Sequence, residues 1–239
     1  MTTQGRQAAA IWRDEGFATS WAAGDTTTAD LLAVPRRIAA EVVAGDNPSP
    51  AEIMDIGAGP GAVLAVFLQR FPGAHGTWSD ASEAMLAMAR ENLAPFGARV
   101  DYRLADMTAL DDAGLPATAD VITTSRAAHH LDSDGLIAFY SAAARRLGPG
   151  GWLVNLDHVG PASAAGPAGV AGPDEVWDQR LRAVRKELGI TSDGPKHHHD
   201  YPLTSVQDHL DAFTAAGITD VEVVWRAFFT CLFMGRKAE

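Results

Sequence analysis

The chain has 239 residues, of which 47% are hydrophobic, and its 19 basic against 30 acidic residues give a formal charge of −11. That size and apolar content suit one α/β domain with decorations, and the negative balance opposes the phosphate-neutralising surface that nucleic-acid binders need. Cys231 is the single cysteine, so no internal disulfide forms, and no apolar run is long enough for a membrane span or a secretory signal. A reducing, cytoplasmic setting is expected.

Residues 1–50 carry a helical apolar rhythm at 8–17 and 31–43 and stop at the breaker Asp46-Asn47-Pro48-Ser49-Pro50, so they are expected to form a helical N-terminal cap. Strand-like runs follow at 53–56, 76–79, 99–104, 121–124 and 152–156, separated by helical runs at 63–70, 83–93 and 136–147. Strand and helix in alternation imply a doubly wound, mostly parallel sheet. A Gly, Pro and Ala-rich loop spans 160–173, then come a helix at 174–188, a polar stretch to Asp200 and a helix at 205–216. The last two runs, 221–225 and 228–234, lie too close together for a helical crossover and should pair as an antiparallel hairpin at the sheet edge. The expected fold is therefore a seven-stranded Rossmann-like α/β sheet. Residues 51–239 would form its binding domain, with 160–216 as a substrate-lid insertion.

The run IMDIGAGPGA, 53–62, places Gly57, Gly59 and Gly61 at alternate positions behind Asp55 and ahead of a helix. Glycines there let the backbone approach a ligand closely, because a Cβ would collide with it or strain the turn. The same run meets the dinucleotide pattern G-x-G-x-x-G/A through Gly57, Gly59 and Ala62, and Asp80 supplies an acid at the end of the second strand. Three features favour S-adenosylmethionine over a nicotinamide: Asp55 before the first glycine, the third glycine at 61, and the closing hairpin. No Gly-Lys-Ser/Thr follows, which excludes a phosphate-binding P-loop.

Five segments occur in order: DIGAGPGA (55–62), WSDASEAMLAMAR (78–90), ADMTAL (105–110), ADVITTSRAAHHLD (119–132) and RRLGPGGWLVNLD (145–157). Together they resemble the class I S-adenosylmethionine-dependent methyltransferases of the small-molecule type, over roughly positions 50 to 237. The resemblance implies that S-adenosylmethionine is the cofactor. Amides of Gly57, Gly59 and Gly61 would meet its methionine carboxylate, and Asp55 would orient that loop or touch the cofactor. Asp80 and Ala81 would face the ribose, Asp106 and Met107 the adenine, and Ser125 would close the fourth strand beside the cofactor. Trp78 and Met85 are expected in the core.

Methyl transfer from a sulfonium is an in-line displacement with a neutral leaving group, so a site must align the reactants, exclude water and take the nucleophile's proton. Histidine suits the last task. His129-His130-Leu131-Asp132 is similar to the region around the catalytic histidine of secondary-metabolite O-methyltransferases, with Leu131 in place of their tryptophan. His129 is thus a candidate base, or a packing group, and His130 a substrate contact. His158, after Asp157, is a second candidate base or a hydrogen-bonding group. His197, His198, His199 and Asp200 are of metal-ligand type but lack convergent spacing, so a lid loop is expected and no metal. Trp12, Phe17, Trp21, Trp177 and Tyr201 are expected to line an apolar pocket. The function implied is methylation of a small molecule, an oxygen nucleophile favoured, in secondary-metabolite biosynthesis. A non-methylating S-adenosylmethionine enzyme (cyclisation or decarboxylation) and a nicotinamide-binding protein remain as alternatives. The substrate and the oligomeric state, a homodimer included, stay open.

Overall fold

The computed structural model describes residues 14, 16–17, 20, 26–160, 173–189 and 203–239. Helix α1 (Thr26–Asp46) leads into β1 (Glu52–Ile56), α2 (Ala62–Arg70), β2 (His75–Asp80), α3 (Glu83–Asn92), β3 (Val100–Leu104), β4 (Ala119–Ser125), α4 (Ser133–Arg146) and β5 (Leu147–His158). Then follow α5 (Pro173–Glu187), α6 (Val206–Ala215), β6 (Asp220–Ala227) and β7 (Thr230–Arg236). The strands form one seven-stranded sheet in the order β3-β2-β1-β4-β5-β7-β6. The first five strands run parallel, and β7 pairs antiparallel with both β5 and β6. The expected hairpin is present, and β7 is wedged between β5 and the edge strand β6. Sequence order reverses between β1 and β4, the position at which open parallel sheets bind ligands beyond their carboxyl ends.

Alternation along each strand divides the core in two. Ile53, Val121, Val154, Leu156, Leu232 and Met234 bury with α1, α2 and α3, through Leu32, Val43, Leu64, Phe67, Met85 and Ala89. Met54, Ile56, Ile122, Leu153, Cys231 and Phe233 bury with α4 and α6, through Leu136, Phe139, Tyr140, Ala212 and Phe213. Two expected accessories are therefore layers of the sheet itself. The C-terminal part of the 1–50 cap, α1, carries Leu32, Ala39, Ala40 and Val43 on one buried stripe, because positions seven, eight and eleven apart share a helix face. Likewise α6, placed at the end of the 160–216 lid, is a core helix, begun by a Ser205–Asp208 capping box and seated by Ala212 and Phe213.

Residue 147, expected in helix α4, starts β5 instead, pairing with Ala119 before a register shift in which 148–151 are the extra residues on β5. Helix α4 begins early, at Ser133, because the Asp132 side chain accepts the Gly135 N–H at 2.8 Å. Among the described residues no helix is long and apolar enough to cross a membrane.

Candidate active site

The loop after β1 holds Gly57, Gly59 and Gly61 at φ 63°, 51° and 82°, the left-handed region. Their packing differs. A Cβ on Gly57 would lie 2.6 Å from the Ala127 Cβ, and one on Gly61 2.8 Å from Leu93 Cδ1, whereas one on Gly59 meets only Met85 Sδ, at 3.9 Å. The first and third glycines are thus demanded by the chain's own packing, and the middle one leaves backbone facing open space. Four hydrogen bonds fix the loop: Ala58 N–H to Ser79 O (3.0 Å), Gly59 N–H to Asp80 Oδ2 (2.9 Å), Trp78 Nε1–H to Gly59 O (2.8 Å) and Asn92 Nδ2–H to Pro60 O (3.0 Å).

Asp55 supports the loop from below. Fully buried, it accepts the Thr123 hydroxyl at 2.7 Å from β4 and the Leu64 N–H at 3.3 Å in the first turn of α2. Burial pushes its carboxyl up to about 7, against these two donors and the Arg36 charge. Asp80 divides its oxygens between the Gly59 N–H and the Ser82 N–H (2.9 Å), and burial raises its pKa while these amides and that of Ala81 oppose the rise. With three amides directed at about four lone-pair sites, its carboxylate retains capacity for a ligand hydroxyl.

Beyond Asp80, a cavity of about 600 Å³ is lined by Ala81, Glu83, Ala84, Ala87, Leu104, Ala105 and Asp106. That is the size range of small-molecule and cofactor sites. Asp106 begins the 3-10 turn Met107–Asp112, its Oδ1 accepting both the N–H and the hydroxyl of Thr108 at 2.9 and 2.8 Å. Met107 packs partly buried against the α4 side of the core. At the carboxyl ends of β2 and β4, the buried hydroxyls of Ser79, Thr124 and Ser125 have no hydrogen-bond partner. The uncrowded Cα face of Gly59, an adjacent cavity and these unpaired hydroxyls fit a cofactor with polar groups.

On the other side of the switch point, β4 ends in Arg126, Ala127 and the 3-10 turn Ala128–His130. His129 is 3% exposed, and Asp157 at the end of β5 is fully buried. One carboxylate oxygen accepts the His129 N–H at 2.9 Å, the other lies 2.6 Å from His129 Nδ1, and the latter also accepts the His158 N–H at 2.8 Å. Burial raises the Asp157 carboxyl, opposed by the charges of His209 and His158 and by these amides. The rings of His130 and His158 stand 4.1 and 5.3 Å from that of His129. His158 Nδ1 lies 3.1 Å from the Thr230 hydroxyl, and burial, together with the positive charges of His129, Arg126 and Arg185, lowers its pKa to about 3. So His129, His130 and His158 are brought together. Asp157, the residue that holds the first of them, was missed as a functional group, although its place before His158 at a strand end was the available signal.

The apolar cover is not assembled in the same way. Trp177 is 58% exposed with the Arg180 guanidinium 5.1 Å from the centre of its ring, so the described residues do not enclose it. Phe17 is half-buried, its N–H donated to Asp14. Trp12, Trp21, Tyr201, His197, His198, His199 and Asp200 lie outside the described residues. Among the described residues no group of three or more His, Cys, Asp or Glu is placed to hold a metal.

Three outcomes follow for this loop. Between about pH 4 and about pH 7, Asp55 keeps its proton in the folded chain and loses it in the unfolded one, so its contribution to stability falls as pH rises. His158 titrates with the opposite sign, as burial lowers it, and the difference between wild type and Asp55→Asn isolates Asp55. That difference, measured by denaturant unfolding across the window, should drift against wild type by about 1.4 kcal/mol per pH unit. Gly57→Ala should destabilise by about 2–4 kcal/mol through overpacking on Ala127 and the left-handed φ. Gly59→Ala, with open space around it, should cost about 1–2 kcal/mol by the φ alone while impairing ligand binding.

A methyltransferase-domain family model matches residues 53–151. Release factor glutamine methyltransferase of Cereibacter sphaeroides is 36% identical over 77 residues, which cover 31% of this chain and 26% of that protein. An O-methyltransferase family protein from Burkholderia thailandensis has a similar structure, with TM-score 0.61 at 19% identity over 84% of this chain and 55% of that one. Human N-acetylserotonin methyltransferase, in complex with S-adenosylmethionine, gives TM-score 0.63 at 17% identity over 96% of this chain and 58% of that one. The chain thus spans little more than half the length of these solved structures and about a quarter of the curated relative. At such identities the structural likeness is one of fold, and the sequence match covers the segment that bears the glycine loop and both turns of the switch point. Residues 53–151 thus match a methyltransferase domain, and the chain carries the Rossmann-like methyltransferase fold.

Proposed function

We propose that the protein transfers a methyl group from S-adenosylmethionine to a hydroxyl oxygen of a small molecule, with His129 as the base. The observation that carries this is the buried His129–Asp157 pair, 2.6 Å apart, next to Ala127 and hence to the glycine loop. The glycine loop of Gly57, Gly59 and Gly61, with Asp80, Ala81, Asp106, Met107 and Ser125, would hold the cofactor. When bound, it supplies an electrophilic methyl on a sulfonium whose departure leaves a neutral thioether. The antiparallel β7 separates this sheet from the all-parallel dinucleotide fold, which argues against a nicotinamide.

Asp157 accepts the Nδ1–H of His129, which leaves Nε2 with the lone pair that takes the substrate hydroxyl's proton. As the imidazole gains charge, the carboxylate stabilises it without moving. His158 is too weak a base for this step, since burial holds it to about 3, and serves as a neutral hydrogen-bonding group. The burial of His129 keeps water from competing for the methyl.

The test is kinetic. His129→Gln and Asp157→Asn should each lower turnover by roughly 10²–10⁴-fold with cofactor affinity unchanged by calorimetry, the pattern of a lost general base. The rate in wild type should fall as acid protonates the base, and the product should carry one added methyl alongside S-adenosylhomocysteine. Asp80→Ala should instead weaken cofactor binding by about 1.5–3 kcal/mol. Full turnover in both His129→Gln and Asp157→Asn would remove His129 from the chemistry.

A further inference from the structure

Helix α5 leaves a row of apolar side chains in the open. Trp177, Leu181, Val184 and Leu188 recur at spacings of four, three and four, which puts them on one helix face. Leu188 follows the last residue of α5 and prolongs its turn, donating its N–H to Val184 O at 3.0 Å, and Gly189 then ends the helix at φ 67°. The side of α5 turned to the rest of the molecule is marked by the Arg182 and Arg185 guanidinium groups, 4.8 and 5.7 Å from the centre of the Phe229 ring between β6 and β7. The apolar row lies about a quarter turn away from it. Val184 and Leu188 are 48 and 62% exposed, Trp177 is comparably open, and only Leu181 is half-buried. Three of the six large apolar side chains exposed among the described residues therefore share this one face. Scattered apolar residues are ordinary on a surface, whereas a contiguous row marks a contact.

We propose that α5 pairs with α5 of a second copy of this chain, antiparallel across a twofold axis. The spacing four, three, four reads the same in both directions. A twofold axis through its centre sets Trp177 against Leu188 of the partner subunit and Leu181 against Val184 of the partner subunit, each pair occurring twice. Charge obeys the same symmetry. Arg180 and Glu187, both exposed, border the row on the side away from Phe229, and each precedes an apolar member, Leu181 and Leu188. The register that matches the apolar residues brings these bordering positions together across the axis, so that Arg180 meets Glu187 of the partner subunit, again twice. Lipid is the weaker occupant: Pro173–Glu187 carries four acidic and four basic residues, without the positive excess by which an amphipathic helix adheres to an anionic membrane. One helix pair is a small interface, below about 1,200 Å² in total, so the dimer should be reversible, with a dissociation constant of about 1–100 μM. The contact uses no group of the proposed methyl-transfer site and is independent of that function.

Sedimentation velocity of the full chain, from about 1 to 300 μM, should show a concentration-dependent monomer–dimer equilibrium. Val184→Asp and Leu188→Asp, at exposed positions, should keep the wild-type circular dichroism and weaken the dimer by about tenfold or more, because each buries a charge in the contact. A charge swap tests the register. Arg180→Glu alone, or Glu187→Arg alone, turns two attractive pairs into repulsive ones and should weaken the dimer by about tenfold at low salt. The double variant Arg180→Glu/Glu187→Arg restores opposite charges and should recover most of that loss. A dimer indifferent to the two aspartate variants, or a double variant as weak as the single ones, overturns the antiparallel α5 contact. A monomer at every concentration overturns it as well. If Leu188→Asp then lowers stability to denaturant, the row belongs to another segment of the same chain, and if the protein cosediments with anionic vesicles, it belongs to lipid.

Discussion

The missing side chain at Gly57 lets two backbone turns from neighbouring strands touch. The turn after β1 and the turn after β4 meet where a Cβ on Gly57 would press into that of Ala127. This approach places the glycine loop and His129 on either side of one seam, at the point where the strand order reverses. Glycine makes it affordable, since another residue would bear about 1–2 kcal/mol for its left-handed φ before any collision is counted. Everything proposed for the site, cofactor on one side and base on the other, depends on that seam being narrow.

Three carboxylates, two fully buried and one partly buried, then hold the seam's parts in place. Asp55 ties β1 to β4 and α2, Asp80 ties β2 to the glycine loop, and Asp157 ties β5 to the turn that carries His129. Burial raises the pKa of each, and each is offset by donors worth about 1.5–3 kcal/mol apiece when the acceptor is charged. Such groups position loops because their bonds are directional and expensive to lose in a low dielectric. Behind Asp157, on the same face of β5, Asn155 donates to the Tyr140 hydroxyl at 2.6 Å, and that hydroxyl lies 2.8 Å from His209 Nδ1. Thr204 meets the other nitrogen of His209, and Phe233 stacks on its ring, so α4, α6, β5 and β7 are locked together directly behind the catalytic edge.

Local pattern made much of this legible in advance. The alternation of apolar runs marked all seven strands within a few residues, the close spacing of the last two marked the hairpin, and Gly57, Gly59, Gly61 and Asp80 marked the left-handed glycine turn and the acid that holds it. Register and packing were less accessible. The helices α1 and α6 were placed as cap and lid because periodicity reports that a face is apolar and not what covers it. The exposure of Trp177 was not legible either, because an aromatic residue in a variable segment carries no sign of which way its helix turns.

The amino-acid sequence by itself determined the strand and helix content, the parallel sheet with its antiparallel end, and the glycine-rich turn with the cofactor class it suits, because these follow from short-range spacing and steric limits. Only the tertiary structure decided which groups meet. Asp157 reaches His129 across a separation of 28 residues, and Thr230 meets His158 from β7. Those encounters are set by strand register and the crossing of packed elements, which no local period encodes.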